Sequence, residues 1–506
     1  MSESGTGHVR AVDTDGVEIK GLKEGSVGLG GAVVMGLSST APMYSLTATI
    51  GLVAAAVGVY APACMIVAFI PMLFTAYAYR ELNNVTPDCG TTFTWATKAF
   101  GPHVGWMGGW GIAISGIIFL GNAAQVTGTT FFEALHNEEL ADNKYAVAAV
   151  GIIFIVIMAY ISYRGLEGAA WLQTGLVVLQ YVAMGLLAAA AFWAVYRGAG
   201  SEGSIQPSLE WLNPFGIDSF SDFIKGVLLC IFIYWGWDAI LAINEETKDP
   251  EKTPGRAAII ATVILLGGYV LLTMATVSYA GLGDTGIGLN APDSQGDVLP
   301  TIALPLIGTW GTEFIIIVIL LSTVASAQTT ILPTARGTLA MATYKALPAK
   351  FARVHPKYMT PGYSTFMTCA VGLVLYVLLT ILSGNILEDT VSSISLAIAF
   401  YYSLTAFSCV WYFRHEAFTS FRKFMFVFLL PLIGGIFLAI AFVISAYQML
   451  APDYGSTAFF GIGSVFVIGV GSLLVGVVLM FLWQLRQPEF FRGETLKHDT
   501  PALVPE

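Results

Sequence analysis

The stretch GLSSTAPMYS, from Gly36 to Ser45, interrupts a long apolar run near the start of the chain. It places serines, a threonine and a proline where a membrane helix would carry apolar side chains. Pro42 also removes a backbone donor, and an unpaired backbone group in hydrocarbon costs several kcal/mol. Such groups are tolerated where protein buries them or where they line a cavity. The stretch therefore indicates either a broken helix at a polar ligand site or a proline kink patched by Ser38 or Ser39.

The composition of the whole chain indicates a membrane protein. Of its 506 residues, 56% are hydrophobic and 11% are charged, and the charged share is less than half of the roughly 25% that is usual in soluble proteins. A helix needs about 20 apolar residues to cross the hydrocarbon core. Twelve stretches meet this requirement: 27–57, 60–81, 104–133, 145–163, 169–196, 220–242, 256–281, 302–343, 363–383, 388–413, 424–449 and 459–485. We therefore expect an all-α membrane protein with twelve transmembrane helices.

Lysine and arginine are unevenly distributed between the two sides of these spans. If the N-terminus lies in the cytoplasm, the outer segments hold only Lys144, Arg197 and Lys225 of the 23 basic residues. This bias predicts a multi-pass protein of the cytoplasmic membrane with both termini cytoplasmic. The predicted regions are an N-terminal tail (1–26), a ten-helix transport core (27–413), helices 11 and 12 (414–485) and a C-terminal tail (486–506).

Several functional classes are disfavoured by the remaining composition. A net charge of −10 provides no basic face for nucleic acid. The five cysteines are an odd number and lie in spans or on the inner side, which is not typical of a disulfide framework. The six histidines fall in tails, in loops or near helix ends, so they form no deep metal-binding cluster. We therefore expect no enzymatic activity, no metal and no cofactor.

A second apolar span is interrupted in the stretch FIYWGWDAI, residues 232–240. Gly236 and Asp238 lie deep within it. Broken helices at corresponding positions of two halves are the best sequence indicator of a transporter binding site. The breaks fall in spans 1 and 6, which predicts a repeat of spans 1–5 against spans 6–10, with spans 11 and 12 added. We expect both broken segments, Ser38 to Met43 and Phe232 to Asp238, to be distorted and to face one central cavity.

Three separated segments carry a resemblance to a known family. They are YRELNNVTPDCGTTFTWATKAFGPHVGWMGGW after span 2, YWGWDAILAINEETKDPEKTPGRA in span 6 and TARGTLAMATYKALPAKFARVHPKYMTP at the end of span 8. Together they resemble the amino acid–polyamine–organocation transporters, over about residues 25–415. The resemblance implies an inverted-repeat bundle of five plus five helices, with broken helices 1 and 6 and with substrate bound between spans 1, 3, 6, 8 and 10. It also implies secondary active transport by alternating access.

Two departures from the family pattern bear on substrate and coupling. The usual Gly-Ser/Thr-Gly break of span 1 is replaced by Thr40-Ala41-Pro42, which looks more like the putrescine importers of the family. Proton-coupled members of the family often carry a lysine in span 5. In this chain the matching position is Gln180, which puts a lysine-based proton switch in doubt. The resemblance therefore implies a permease for amino acids, proton-coupled or exchanging, with a polyamine importer as the alternative. A non-transporting membrane sensor is a more distant alternative.

Asp238 is an acidic side chain placed well inside a predicted span. It is a candidate to carry a proton, to pair with a substrate ammonium, or to be satisfied by the backbone of its own break. Asn122 and Gln125 are spaced to share one face of span 3. Resemblance to the arginine/agmatine antiporter branch implies that Asn122 touches the substrate, whereas an interhelical hydrogen bond is the other interpretation.

The predicted site combines these residues with the two breaks. Aromatic faces attract ammonium groups, but helical geometry allows at most two of the four aromatics around Gly236 to face the site. Hydroxyls of span 8 would suit a sodium ion or ordinary helix packing. Four charged residues near inner helix ends form either an inner set of ion pairs or solvated helix-end charges: Glu245, Glu246, Arg80 and Arg336.

The predicted substrate-binding residues are Ser38, Ser39, Thr40, Ala41, Pro42, Met43, Asn122, Gln125, Phe232, Tyr234, Trp235, Gly236, Asp238 and Thr330, with Asp238 also the candidate for proton coupling. The expected partners are a small amine or amino acid, protons and the lipid bilayer.

Overall fold

The computed structural model describes residues 11–12, 18–20, 22, 25–165, 170–291 and 296–501. Helices dominate this part of the chain. They are α1 (Leu29–Thr40), α2 (Pro42–Val57), α3 (Ala61–Val85), α4 (Thr92–Phe100), α5 (Pro102–Ala134), α6 (Glu138–Ala141), α7 (Lys144–Tyr163), α8 (Ala170–Tyr196), α9 (Phe220–Tyr234), α10 (Thr253–Ala280), α11 (Val298–Thr343), α12 (Gly362–Leu382), α13 (Ile386–Tyr412), α14 (Phe421–Lys423), α15 (Leu430–Gln448), α16 (Ser464–Arg486) and α17 (Pro488–Phe491).

Short elements complete the description. Strands β1 (Ala11–Val12) and β2 (Glu18–Ile19) pair antiparallel, as do β3 (Ala458–Phe459) and β4 (Ile462–Gly463). A 3₁₀ helix, Trp237–Glu246, follows α9, and a π-helical turn, Phe424–Leu429, precedes α15. Smaller 3₁₀ helices are Gly58–Tyr60, Leu209–Leu212, Pro214–Gly216 and Ala349–Ala352.

Eleven helical segments among the described residues are long and apolar enough to cross a membrane. The first, Leu29–Val85, has 57 residues and contains α1, α2 and α3. At about 1.5 Å per residue it measures about 85 Å, nearly three times the roughly 30 Å hydrocarbon core. The first two predicted spans fall in this segment, and each remaining predicted span corresponds to one of the other segments. The protein is therefore an all-α membrane protein.

Two details differ from the sequence prediction. The last span begins at Ser464 rather than at 459, because the β3–β4 hairpin occupies the residues before it. Helix α4 was not predicted, because its nine residues are too few to cross a membrane. Its inward-facing residues include Phe93 and Trp95, which are fully buried.

The centre of the bundle is formed by two segments. In α5, 83% of the most apolar stretch is buried, and in the span of α9 and its 3₁₀ continuation the share is 89%. The corresponding shares for α7 and α16 are 33% and 28%. Helix α5 packs against α7, α11, α12 and α13, whereas α9 packs against α2, α3 and α13. The interrupted sixth span therefore lies near the middle of the bundle, and 14 of the 16 residues of α2 in the interrupted first span are also buried, so the irregular backbone is shielded from lipid.

The beginning and the end of the described chain meet at one face of the bundle, which we call the terminal face. Leu22 and Leu496 are buried in one apolar cluster with Phe93 and Phe490. The Lys98 ammonium donates to the Thr500 carbonyl at 2.6 Å. Both terminal segments therefore lie on the same side of the helices.

Candidate functional site

The break in the first span is confined to one residue. Helix α1 ends at Thr40, Ala41 takes a left-handed conformation (φ 44°, ψ 70°), and α2 begins at Pro42. Proline suits this position because the first residue of a helix has no intrahelical partner for its N–H. The expectation of distortion throughout Ser38 to Met43 was therefore too broad, since all but Ala41 lie in the two flanking helices.

Two backbone N–H groups at the start of α2 face polar side chains from other helices. Met43 donates to Gln180 Oε1 at 3.5 Å, and Tyr44 donates to Ser322 Oγ at 3.4 Å. Ser322 in turn donates to Gln180 Oε1 at 2.7 Å. Both backbone contacts are long for N–H···O hydrogen bonds, which are commonly 2.7–3.2 Å. A stronger acceptor could therefore replace the Gln180 and Ser322 oxygens at this helix end.

Hydroxyl groups satisfy the carbonyl end of α1. Ser326 donates to the Ser39 carbonyl at 2.7 Å, and Ser45 donates to the Thr40 carbonyl at 2.6 Å. The Ser38 hydroxyl is buried without a hydrogen-bond partner among the described residues. Ser326 lies on α11, and Thr330 follows it by about one turn with 4% of its surface exposed. The span 8 hydroxyls of Ser322 and Ser326 therefore lie at the first break.

The second break lies in the sixth span. Helix α9 ends at Tyr234, Trp235 is extended (φ −73°, ψ 142°), and Gly236 has φ 120° before the 3₁₀ helix begins at Trp237. A Cβ atom on Gly236 would lie 2.8 Å from the Ser39 carbonyl carbon and 2.9 Å from the Thr40 nitrogen. Only glycine permits this approach, and the two breaks are therefore in direct backbone contact.

Asp238 lies two residues after Gly236 and is half-buried. Its Oδ2 accepts a hydrogen bond from the Tyr401 hydroxyl at 2.9 Å. That hydroxyl accepts one from the Trp235 indole N–H at 2.5 Å. Tyr401 belongs to α13, the tenth predicted span. A continuous chain of hydrogen bonds thus joins the acidic side chain to the break and to a neighbouring helix.

The aromatic side chains around Gly236 divide into two pairs. Phe232 packs edge-on to Tyr44 of α2, and Trp235 packs edge-on to Phe119 of α5. In contrast, Tyr234 packs against Phe69 and Tyr269, and Trp237 packs against Tyr79 and Tyr402. Phe232 and Trp235 therefore lie between the breaks and α5, while the rings of Tyr234 and Trp237 contact other helices.

Asn122 and Gln125 are not brought together. Asn122 is fully buried, accepts from the Tyr44 hydroxyl, and donates to Thr390 Oγ1 at 2.6 Å. Gln125 instead accepts from the Tyr376 hydroxyl of α12 at 3.3 Å. Asn122 lies beside the first break, whereas Gln125 is turned toward a helix outside the predicted site.

Ion pairs join the end of the sixth span to other helices at the terminal face. Arg336 of α11 donates to both carboxylate oxygens of Glu246, at 2.5 and 3.0 Å. Lys20 forms ion pairs with Asp88 and Glu245, each at 2.7 Å. Arg80 pairs instead with its neighbour Glu81. Arg336, Glu245 and Glu246 are buried, which excludes the interpretation that they are solvated helix-end charges.

Lys20 and Asp88 were not recognised from the sequence. Burial by itself lowers the pKa of the Lys20 ammonium, but the attraction of Asp88, Cys89 and Glu245 outweighs it and raises that pKa well above its usual value. Burial likewise raises the pKa of Asp88, but Lys20 outweighs this effect and lowers that pKa. Both groups are therefore charged at neutral pH. The only available sequence signal was an acidic residue in the segment after span 2.

The chain matches a known protein family and several known transporters in sequence. The family described as "Amino acid permease" matches residues 29–479. The chain is 27% identical over 347 residues to the low-affinity putrescine importer PlaP of Escherichia coli (strain K12), a match that covers 67% of this chain and 72% of the importer. It is 29% identical over 216 residues to the branched-chain amino acid permease BcaP of Lactococcus lactis, covering 40% of this chain and 45% of the permease. It is also 24% identical over 480 residues to an uncharacterized transporter of Mycobacterium tuberculosis (strain H37Rv), covering 94% and 96% of the two chains.

Proposed function

Because the chain belongs to the amino acid permease family, we propose that it is a secondary active transporter that moves amino acids across the cytoplasmic membrane by alternating access. The observation that carries the proposal is the backbone contact of the two breaks at Gly236 and Ser39. Irregular backbone at the centre of a membrane bundle is tolerated where it builds a site for a polar substrate. The fit of the family to nearly the whole chain supports the same interpretation.

The polar groups around the breaks suit a zwitterion. On one side, the N–H groups of Met43 and Tyr44 lie at the positive end of α2 and are held only by long contacts. We place the substrate carboxylate there. On the other side, Asp238 and the carbonyl end of α9 provide negative charge, and we place the substrate ammonium there, beside Trp235.

A polyamine importer is the second candidate. Pro42 leaves one fewer N–H group at the start of α2 than another residue would, which weakens the case for a carboxylate. The similarity to the putrescine importer covers two-thirds of this chain. A diamine would place one ammonium near Asp238 and would require an acceptor for the other, for which the Asn122 amide oxygen beside Tyr44 is a candidate.

We further propose the architecture in which this site would work. The 57-residue segment Leu29–Val85 would form two crossings, giving twelve spans. Spans 1–5 and 6–10 would be inverted repeats within a transport core at 27–413, with helices 11 and 12 at 414–485 and tails at 1–26 and 486–506. The terminal face would be cytoplasmic, as the distribution of lysine and arginine predicts.

Coupling to protons is proposed through Asp238. Gln180 occupies the position that matches the proton-coupling lysine of the family, and its Oε1 atom lies near the N–H of Met43. A neutral amide therefore lies beside the first break at that position. An ionisable group at membrane depth is a functional candidate by default. Asp238 combines that depth with a contact to the second break through Tyr401.

Competition in proteoliposomes tests the substrate class. Uptake is measured with and without a pH gradient while ornithine is compared with putrescine, and alanine with ethylamine. An amino acid transporter should be inhibited by the amino acid and should ignore its decarboxylated amine. Strong inhibition by putrescine alone would replace the proposal with the polyamine importer, and absence of any uptake across a broad panel would contradict transport.

A further inference from the structure

A buried pocket on the terminal face holds one primary ammonium group. The Lys20 ammonium lies 2.7 Å from Asp88 Oδ2, 2.7 Å from Glu245 Oε1 and 3.5 Å from Cys89 Sγ. It also lies 5.7 Å from the centre of the Tyr344 ring. The side chains of Lys20, Asp88 and Glu245 are 1%, 0% and 5% exposed. Two carboxylates and an aromatic face are the groups that bind an ammonium in proteins.

The walls of this pocket are held in place by hydrogen bonds that do not involve Lys20. Asp88 Oδ1 accepts from the Gly90 N–H at 2.8 Å, and Oδ2 accepts from the Tyr344 hydroxyl at 2.9 Å. Glu245 Oε1 accepts from the Cys89 N–H at 2.9 Å. These bonds come from three separate parts of the chain. The pocket is therefore preorganised and would keep its shape without the lysine, whereas burial and mutual repulsion would then raise the pKa of its carboxyl groups.

Lys20 belongs to the segment of the chain that precedes α1. Ser26 donates its N–H to the Glu246 carbonyl, and Lys248 donates its N–H to the Val27 carbonyl, both at 2.8 Å. Ser26 and Val27 thus lie against the end of the sixth span, and α1 begins two residues later at Leu29. A shift of α1 relative to the sixth span would move the lysine relative to its pocket.

We propose that this pocket is a binding site for primary ammonium groups, and that Lys20 occupies it to hold the terminal face closed. Departure of Lys20 leaves two buried carboxylates without a positive charge, which is strongly unfavourable. An amine that reaches the pocket supplies that charge and allows the segment to leave. The role of the pocket in releasing an amine substrate rests on the proposed transport function, whereas ammonium binding itself does not.

Cys89 provides a reporter inside the pocket. The assay uses a protein in which alanine replaces the other described cysteines. These are Cys64, Cys230, Cys369 and Cys409, and all four are buried. The rate at which a small maleimide labels Cys89 is then measured on purified protein. Because labelling follows the open fraction, Lys20→Gln should raise the rate about tenfold or more. Lys252→Gln, an exposed lysine near the same end of the sixth span, should leave the rate unchanged.

Added ligands then identify what the empty pocket binds. In the Lys20→Gln protein, ethylammonium should slow labelling of Cys89, while tetramethylammonium, which has no N–H donor, should not. Asp88, Cys89 and Glu245 also lie close enough together to bind a metal, so protection by Zn²⁺ but not by ethylammonium would overturn the proposal. Equal labelling of Lys20→Gln and the unsubstituted protein would also overturn it.

A second variant guards against misfolding caused by the unpaired charges. Lys20→Gln combined with Glu245→Gln keeps the pocket at one negative charge. It should also label faster than the protein with Lys20, and ethylammonium should protect it less than it protects Lys20→Gln. Slow labelling in both variants would reject the closing role of Lys20. The assay contains no transport step, so failure of the proposed function would leave its outcome unchanged.

Discussion

Replacing Gly236 by alanine tests the contact between the two breaks. The new methyl group would lie 2.8 Å from the Ser39 carbonyl carbon, 2.9 Å from the Thr40 nitrogen and 3.0 Å from the Ser39 oxygen. These are backbone atoms, which cannot move aside as the end of a flexible side chain can. Overpacking of this kind costs about 1–3 kcal/mol. A backbone at φ 120° adds a further cost of about 1–3 kcal/mol for a residue with a Cβ.

Gly308→Ala is the matched control. Gly308 has φ 71° but no heavy atom within 4 Å of an added Cβ, so this substitution carries only the conformational cost. The difference between the variants, about 1–3 kcal/mol, corresponds to about a 5- to 150-fold shift in a conformational equilibrium.

The measurements are the melting temperature in detergent and initial uptake per folded protein in proteoliposomes. We expect Gly236→Ala to melt lower and to transport at least about fivefold more slowly than Gly308→Ala. Equal stability and equal uptake of the two variants would refute the contact of the breaks.

Three further predictions concern the hydrogen bonds and ion pairs. Asp238→Asn should abolish the dependence of uptake on a pH gradient and should leave substrate exchange intact; full proton-driven accumulation in this variant would place the proton carrier elsewhere. Tyr401→Phe removes the hydroxyl that donates to Asp238 and should weaken substrate binding by about 1–3 kcal/mol. The control, Tyr234→Phe, removes a buried hydroxyl with no hydrogen-bond partner among the described residues and should not weaken binding. Equal dissociation constants for the two variants in a radioligand binding assay would reject the role of the Tyr401 hydroxyl. Glu246→Gln removes the carboxylate that accepts two hydrogen bonds from Arg336 and should destabilise the protein by about 1–3 kcal/mol; an unchanged melting temperature in thermal unfolding would contradict this.

The positions of the spans and of the two breaks could be predicted from the sequence because their signals are local. A run of apolar residues sets the length of a membrane helix, and Pro42 or Gly236 interrupts it at a definite place. The position of Gln180 along span 5 was also accessible, because the family resemblance matches it to the span 5 lysine of proton-coupled members. The structure places its side chain at the Met43 N–H.

The narrowness of the first break and the direction of Gln125 could not be predicted. A left-handed residue such as Ala41 is set by the packing of both half-helices, since alanine itself disfavours that conformation. Gln125 and Asn122 are three residues apart, which leaves about 60° between them on the helix. That angle is enough for Gln125 to face α12 while Asn122 faces α2 and α13.

Contacts between distant parts of the chain were also inaccessible. Lys20 and Glu245 are separated by 225 positions, and Tyr401 and Asp238 by 163. Each residue alone resembles an ordinary helix-end charge or a packing aromatic. Their significance arises only when the bundle brings their side chains together, because a buried charge must find a partner of opposite sign.

The central claim is that the substrate binds between the two breaks, and a structure with bound substrate tests it most directly. The substrate is taken from the proteoliposome competition, and its position is determined by electron cryomicroscopy. We predict a carboxylate within hydrogen-bond distance of the Met43 and Tyr44 N–H groups and an ammonium within reach of Asp238 and the carbonyl end of α9. A substrate bound away from both breaks, or either segment found as an unbroken helix, would contradict the account.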